Sequence, residues 1–448
     1  MLTRDQAAAQ VADLVERAKK AGADAADAIY SGGISTEVSI RLGELEDVER
    51  SEGEEIGLRY FLGQRSATVS SSDLTDDAMA VLVERAAAMA RETPEDKYAG
   101  LAPEDRLMNG AHPELDIDDG GIGDPEALRE RALAAEDAAR AVEGVTNSEG
   151  GGASAGRSIM ALATSHGFCG VYSGTSHGCS ASVIAGGAGG MERDYAYRTA
   201  RHLEDLDSAE AIGRRAGERA VRRLNPAKVP SGAMPVVYDP RVSGGLLGHL
   251  IGAITGSSIT RGTSFLRDSL NERVFAEGIA ICDDPLRKRG LRSRPFDAEG
   301  LPVGPTRIVE DGVLTTWLLD SASARQLELE PTGHARRGVG GSPGAGSSNL
   351  YLEAGSVSRA DLIGDIDKGI LVTDLFGQGV NAITGDYSRG ASGFLIEKGE
   401  IGAPVSEITI AGNLKDMYLA LTPASDLEFI RGVNAPTVRI DGMTVAGA

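Results

Sequence analysis

The sequence has 448 residues, of which 41% are hydrophobic and 25% are charged, and its formal net charge is −21. These values are typical of a globular protein, and the length predicts more than one domain. The acidic excess repels a phosphate backbone, so direct binding to nucleic acid is not expected. The sequence has no apolar run of membrane-spanning length, no secretory signal pattern and only three cysteines, so we expect a cytoplasmic protein without membrane contact.

Hydrophobic periodicity predicts four helices in the N-terminal half of the chain. The predicted ranges are 4–21, 75–91, 124–142 and 208–224. Gly22 is suited to ending the first helix and Thr75 to capping the second. Asp124 followed by Pro125 is the residue order typical of a helix start, and it opens the third. The first three ranges therefore have both an apolar face and a recognisable end.

The segments around these helices predict strands and one long connection. Residues 28–72 are expected to form short alternating strands, and residues 145–200 strands dense in Ser, Gly and Ala. Residues 93–123 are rich in Pro, Asp and Gly, which is typical of a long connection. Pro and Gly cluster again at 225–232, after a helix, which marks a candidate domain boundary. We therefore predict an α+β fold with two domains. Residues 1–225 would be helices packed on strands, and residues 226–448 a larger, mostly β domain.

Two segments of the C-terminal half differ from their surroundings. Val236–Tyr238 is an apolar strand that leads into a predicted helix ending near Ile254. Residues 332–348 are too glycine-rich for a regular element. They are expected to be either a mobile loop or a surface for backbone contact.

The stretch 376–417 combines apolar, β-prone patches with irregularly spaced glycines and polar groups. Asp386, Tyr387, Ser388 and Arg389 form a polar knot between turn glycines, and two interpretations remain open for it. In the first interpretation, the four residues hold a substrate peptide in extended form, as in strand addition. Alternatively, an Asp386–Arg389 pair locks a turn.

Several blocks of this sequence, taken in chain order, resemble the TldD/PmbA family of peptidases. More narrowly, they resemble its PmbA branch, also called TldE. The blocks that carry the resemblance are 263–270, 293–297, 346–350 and 376–417. The resemblance covers nearly the whole chain. Several matched blocks are more specific than any single motif.

In the TldD branch, the helix that follows the counterpart of strand Val236–Tyr238 carries two zinc-binding histidines. A glutamate directly follows the first of them. The resemblance aligns these three positions with Gly248, His249 and Ala253 of this chain. Both histidine positions therefore lack a ligand, and a lone histidine stands where the water-activating glutamate would be. The distal cysteine ligand of that branch also has no counterpart, because Cys282 is the last cysteine. The resemblance implies no catalytic residue, no metal and no cofactor in this chain.

The resemblance also implies a partner. Chains of the PmbA type pair with a TldD-type chain that supplies the zinc, and the pair degrades unfolded or flexible peptides in an enclosed cavity. This chain would then be a wall of that cavity. The alternative implied by the same family is a regulatory protein-binding module that modulates DNA gyrase, and the acidic charge fits a protein partner better than DNA.

Two further constellations are weaker. His166, Cys169, His177 and Cys179 have zinc-ligand chemistry, but their spacing on a strand gives only weak support for one metal site. A basic patch is expected to be a solvated loop beside prolines. Its members are Arg287, Lys288, Arg289, Arg292 and Arg294.

Overall fold

The structure is a computed structural model that describes residues 1–187 and 190–447. The α-helices are α1 (Arg4–Lys20), α2 (Asp76–Glu92), α3 (Pro125–Arg140), α4 (Ala209–Arg222), α5 (Pro240–Ile254), α6 (Gly256–Thr260), α7 (Ser321–Leu327), α8 (Arg359–Gly364) and α9 (Leu414–Leu419). The strands of the N-terminal half are β1 (Ala25–Arg41), β2 (Glu44–Leu62), β3 (Arg65–Ser71), β4 (Val145–Thr164), β5 (Cys169–Gly187) and β6 (Gly190–Ala200).

The strands of the C-terminal half are shorter and more numerous. They are β7 (Gly232–Tyr238), β8 (Ile281–Asp283), β9 (Thr306–Glu310), β10 (Val313–Leu314), β11 (Ala335–Arg336), β12 (Gly344–Ala345), β13 (Leu350–Leu352), β14 (Lys368–Phe376), β15 (Asp386–Glu397), β16 (Glu400–Asn413), β17 (Leu421–Pro423), β18 (Val433–Asn434) and β19 (Val438–Ala446). The predicted α+β class is confirmed by this mixture of elements.

The four helices predicted in the N-terminal half are confirmed, with small shifts of their ends. Each begins at a residue whose side chain accepts a hydrogen bond from a backbone N–H of the first turn. These residues are Thr3, Thr75, Asp124 and Ser208. Thr3 also forms a capping box with Gln6. Local sequence is therefore sufficient to place these helix starts.

The first sheet is antiparallel, with strand order β3-β2-β1-β4-β5-β6. The helices α1 to α4 cover one face through alanine-rich contacts. The expectation of short strands between 28 and 72 was wrong, because β1 and β2 have 17 and 19 residues. Gly57 lies inside β2 and is not a turn residue. A Cβ there would overlap the carbonyl oxygen of Val339, so this glycine allows a distant segment to approach.

The C-terminal half contains a closed ring of strands, β16-β15-β14-β7-β19, because β19 also pairs with β16. β17 continues from the other end of β19. A second sheet has the order β10-β9-β8-β13-β18. The main hydrophobic core lies between the ring, α5 and α9, and includes Leu246, Leu250 and Tyr418. The proposed boundary at 225/226 falls between α4 and β7 and stays a prediction.

The glycine-rich segment 332–348 was wrongly expected to hold no regular element. It forms a small hairpin in which β11 pairs with β12. The side chain of Arg337 is fully buried and donates a hydrogen bond to Asp27 Oδ1 at 2.6 Å. Together with the contact between Val339 and Gly57, this shows that the segment packs on the first sheet. The Arg337 side chain and the Val339 backbone both contribute to this packing.

Candidate functional site

The candidate site is built on α5, the helix that the sequence places after the apolar strand β7. Asp239 caps it by accepting a hydrogen bond from Arg241 N, and Pro240 takes its first position. The helix is an uninterrupted α-helix from Pro240 to Ile254. It therefore lacks the local widening that would help two ligands about 140° apart to reach one metal ion.

The three positions that align with the zinc motif do not share one environment. Gly248 is exposed, and a Cβ built there would meet no atom within 4 Å. Ala253 is 3% exposed and lies in the main core. His249 is half-buried between them. Neither Gly248 nor Ala253 has a side-chain donor, so the residues present do not fit a zinc ion at these positions.

His249 lies against the start of β15. Its ring makes an edge-on contact with the ring of Tyr387, at 5.9 Å between centroids. Burial, and then the charge of Arg389, lowers the pKa of His249 below its usual value. A histidine with a lowered pKa is neutral at physiological pH, and it can then offer one donor and one acceptor nitrogen. The aligned helix positions and the polar knot, predicted separately, therefore meet at one place.

The polar knot is the first part of β15 and not a turn. Tyr387 is 2% exposed, while Asp386 and Ser388 are exposed. Arg389 Nε donates to the carbonyl oxygen of Phe376 at 3.3 Å. Asp386 and Arg389 do not form the predicted ion pair, so that interpretation was wrong.

Asp386 instead anchors the loop before β15. Its carboxylate accepts hydrogen bonds from Thr384 Oγ1 at 2.6 Å and from Asn413 Nδ2 at 3.1 Å. These two hydrogen bonds, with that from Thr384 the larger contribution, lower the pKa of Asp386. The carboxylate is therefore engaged within the chain, where it stabilises the entry into β15.

The backbone edge of the knot is covered by the chain itself. β14 pairs with β15 only from Gly390 onward, and the preceding segment 379–381 takes over beside Tyr387. Ser388 N donates to Gly379 O at 2.6 Å, and Asn381 N donates to Asp386 O at 2.9 Å. A peptide added as a strand here would have to displace this segment. Peptide binding by residues 386–389 stays a prediction.

Sequence reasoning missed a glycine face on α5. Gly245, Gly248 and Gly252 are exposed, and none of the three would bring a Cβ within 4 Å of another atom. Their spacing of three and four residues puts them on one side of the helix. The spacing was visible in the sequence, but only the structure shows that this side is open.

The cysteine and histidine constellation does not form a site. Cys169 and His177 are eight residues apart on the same strand, β5, which separates them by roughly 26 Å. His177 instead lies 2.8 Å from Asp119, and His166 contacts the carbonyl oxygen of Ala102. Burial raises the pKa of Cys179 to about 11, which disfavours the thiolate that binds metals. Across residues 1–187 and 190–447, no group of three or more His, Cys, Asp or Glu side chains is placed to hold a metal ion.

The prediction that the basic patch is a solvated loop is only partly confirmed. Arg289 is partly exposed and pairs with Asp116, Glu204 and Asp205. Arg294, by contrast, has buried guanidinium nitrogens. The patch therefore divides between surface and interior.

No helix in the described ranges is long and apolar enough to cross a membrane.

Three models of PmbA/TldA metallopeptidase domains match the chain. Domain 1 matches residues 26–90, the central domain 123–224 and the C-terminal domain 231–447. The chain therefore belongs to the PmbA/TldD metallopeptidase family, and the following relatives place it in the PmbA branch. It is 40% identical to Metalloprotease PmbA of Escherichia coli O157:H7, over 95% of this chain and 92% of that protein. It is 38% identical to a Metalloprotease PmbA homolog of Haemophilus influenzae, over 97% and 94%.

Solved structures share the fold over nearly the whole chain. A protein of Bacteroides thetaiotaomicron, proposed as a modulator of DNA gyrase, superposes with a TM-score of 0.92 at 28% identity and full coverage of both chains. TldE from Thermococcus kodakarensis superposes with a TM-score of 0.87 at 22% identity, over 98% of this chain and 100% of that one. The second likeness supports the fold alone.

Proposed function

We propose that this chain is the non-catalytic, PmbA/TldE-type subunit of a cytoplasmic zinc metallopeptidase. A TldD-type partner would carry the zinc ion, and the heterodimer would cleave unfolded or flexible peptides. One observation carries the proposal. The helix that corresponds to the zinc-binding helix of the TldD branch has Gly248 and Ala253 at the ligand positions, and neither can bind a metal.

The geometry of α5 and β15 supports a role as a cavity wall. The glycine face offers bare backbone, which lets another chain approach closely. Beside it, His249 and Tyr387 form an edge-on aromatic contact. Such a surface could bind an extended peptide through shape and hydrogen bonds without activating water.

The first experiment measures zinc content and peptidase activity of the purified chain alone, on a flexible peptide, with and without chelator. We expect negligible zinc and no cleavage. Mixing with a TldD-type chain should produce a complex and chelator-sensitive cleavage. About one zinc per chain, together with cleavage by this chain alone, would contradict the proposal.

A variant pair tests whether α5 faces the substrate. Gly248→Leu fills open space, so we expect it to fold and to bind the partner while lowering cleavage by the heterodimer. Gly364→Leu is the matched control, because Gly364 is also exposed, lies in a helix and has no atom within 4 Å of a built Cβ. Equal activity of the two variants would argue against a cavity role for α5.

A second candidate is regulation through protein binding. The observation that favours it is the similarity to the Bacteroides thetaiotaomicron protein proposed as a modulator of DNA gyrase. The net charge of −21 suits a basic protein surface as the partner. In a pull-down at physiological salt, retention of gyrase by a chain that is inactive with any TldD-type partner would favour this function. Absence of gyrase would count against it.

A further inference from the structure

A cavity of about 280 Å³ lies between the first sheet and the C-terminal half, away from α5. One wall is the sheet face opposite the helices, where Ile29 and Leu162 lie. The other wall consists of the loops 291–298 and 347–348 together with β11. Both halves of the chain are therefore needed to enclose it.

Arginine dominates the polar lining of this cavity. The arginines are Arg201, Arg292, Arg294, Arg336 and Arg337. Among the residues that the structure describes, Asp297 is the only carboxylate in the lining, and backbone N–H groups of Glu299, Leu301 and Ala335 already occupy its oxygens. A strongly cationic cavity in a chain with a net charge of −21 is a local reversal of sign.

Most of these arginines have no anionic partner. Within the described ranges, only Arg337 forms an ion pair, with Asp27. Arg201 donates to backbone carbonyl oxygens, including that of Thr175 at 3.0 Å. Arg336 donates to Ser347 O at 3.0 Å. Carbonyl oxygens satisfy hydrogen bonds but do not neutralise the positive charges of these guanidinium groups.

Arg294 is the least satisfied of the group. Its Nη1 donates to Ala335 O at 3.1 Å, but its Nε and Nη2 are buried and have no hydrogen-bond partner in the described part of the chain. These two nitrogens form the guanidinium edge that binds two oxygens of a phosphate or carboxylate side by side. Arg337 likewise has its Nε and Nη2 buried without a partner.

The charges converge on Tyr172, which also lines the cavity. Burial raises the pKa of its hydroxyl, and the positive charges of Arg294, Arg201 and Arg336 act in the opposite direction. These three guanidinium groups come from distant parts of the chain but influence one hydroxyl. All three also line the same cavity, so a single ligand bound there would have them around it.

We propose that this cavity binds a small anion that carries a phosphate group. Several unpaired arginines require a ligand with more than one negative charge and more than two acceptor oxygens, which favours a phosphate over a single carboxylate. The volume leaves room for the phosphate and a short organic remainder, since it lies just below the range usual for larger ligands. This site is independent of the proposed peptidase role.

Isothermal titration calorimetry of the purified full chain, in a buffer free of phosphate and sulfate, tests the proposal. The titrants are inorganic phosphate, glycerol 3-phosphate and succinate. We expect both phosphate compounds to bind, and succinate to bind about tenfold more weakly or not at all. Tighter binding of glycerol 3-phosphate would identify a phosphomonoester, and tighter binding of phosphate the free ion. Absence of heat with both phosphates, or tighter binding of succinate, would overturn the proposal.

Two variants locate the site. Arg294→Gln removes a buried, unpaired charge, so we expect it to fold and to bind phosphate about tenfold or more weakly. Arg336→Gln changes an exposed residue and should weaken binding in the same direction even if the first variant is unstable. The matched control is Arg325→Gln, because Arg325 is also bound by backbone carbonyls but does not line the cavity. Unchanged affinity in Arg336→Gln, or equal loss in the control, would overturn the assignment.

Discussion

Glu299 is a buried carboxyl group whose pKa is raised close to neutral pH. It is 3% exposed, and its Oε2 accepts hydrogen bonds from both the backbone N and the Oγ of Ser321, each at 2.8 Å. Burial, and then the charge of Asp297, raises the pKa of Glu299 to about 7, while Arg59 and the Ser321 hydrogen bonds oppose the shift. Its protonation therefore changes at a pH where most carboxyl groups are fully ionised.

Glu299→Gln is expected to change how stability depends on pH. Because the folded pKa lies above the unfolded value, the wild type loses stability as pH rises from about 4.5 through 7. Glutamine keeps an acceptor for Ser321 but cannot ionise. The variant should therefore gain on the order of 3 kcal/mol over the wild type between pH 4.5 and pH 8. Urea unfolding at both values measures this, and a difference that is the same at both would contradict it.

Single residues also show where sequence reasoning stops. The pairing of Asp386 with Thr384 and Asn413 could not be inferred, because Asn413 reaches it only through the pairing of β15 with β16. Arg294 lies among charged neighbours in a loop with two prolines, which is typical of the surface. Its burial depends on Ala335 and on the first sheet, both distant in sequence.

Among the elements, β15 depends on one glycine for its fit in the strand ring. Gly393 lies where the pairing with both β14 and β16 shifts register. A Cβ at Gly393 would overlap the carbonyl oxygen of Leu371. The backbone itself would have to move to admit a side chain there.

Gly393→Ala is expected to destabilise the chain by about 1–3 kcal/mol, because the overlap is with backbone and not with a flexible side chain. The matched control is Gly402→Ala on β16, where the nearest atom to a built Cβ is 3.8 Å away. The control should stay within about 0.5 kcal/mol of the wild type. Thermal unfolding of the two variants side by side measures the difference, and similar losses would refute the account.

The elements could be predicted unequally. Helix starts were predictable because Thr3, Thr75 and Ser208 act on N–H groups within their own first turn. The lengths of β1 and β2 were not, since their glycines resemble turn residues until their neighbours across the sheet are known. The contact between His249 and Tyr387 joins two elements far apart in sequence, so each half of the candidate site was predictable but their meeting was not.

At the scale of the whole molecule, Asp27 joins the two halves. It lies on β1 and is fully buried, and it forms ion pairs with Arg59 of β2 and Arg337 of the segment 332–348. Burial raises its pKa, but the charges of Arg337 and Arg59 outweigh this effect, so the pKa lies below its usual value. One carboxylate thus forms ion pairs with two buried cations from different parts of the chain.

Asp27→Asn is expected to lower the free energy of unfolding by about 3–5 kcal/mol, because both guanidinium groups would stay buried without an anion. Asp76→Asn is the control, since Asp76 pairs with Arg17 at an exposed position and should cost less than about 1 kcal/mol. Urea denaturation of both variants provides the comparison. If Asp27→Asn lowered the free energy of unfolding no more than Asp76→Asn does, the ion pairs of Asp27 would not be what joins the two halves.

The closed strand ring has a consequence for biosynthesis. β7 emerges from the ribosome long before either neighbour, because its partners β14 and β19 begin at Lys368 and Val438. Until then its apolar core, Val236 and Val237, has no strand to pair with. Such long-range pairing is slow, and unpaired strands of this kind aggregate or recruit chaperones. The N-terminal sheet pairs largely with immediate neighbours, so nascent chains should acquire it first and complete the ring only once β19 is free.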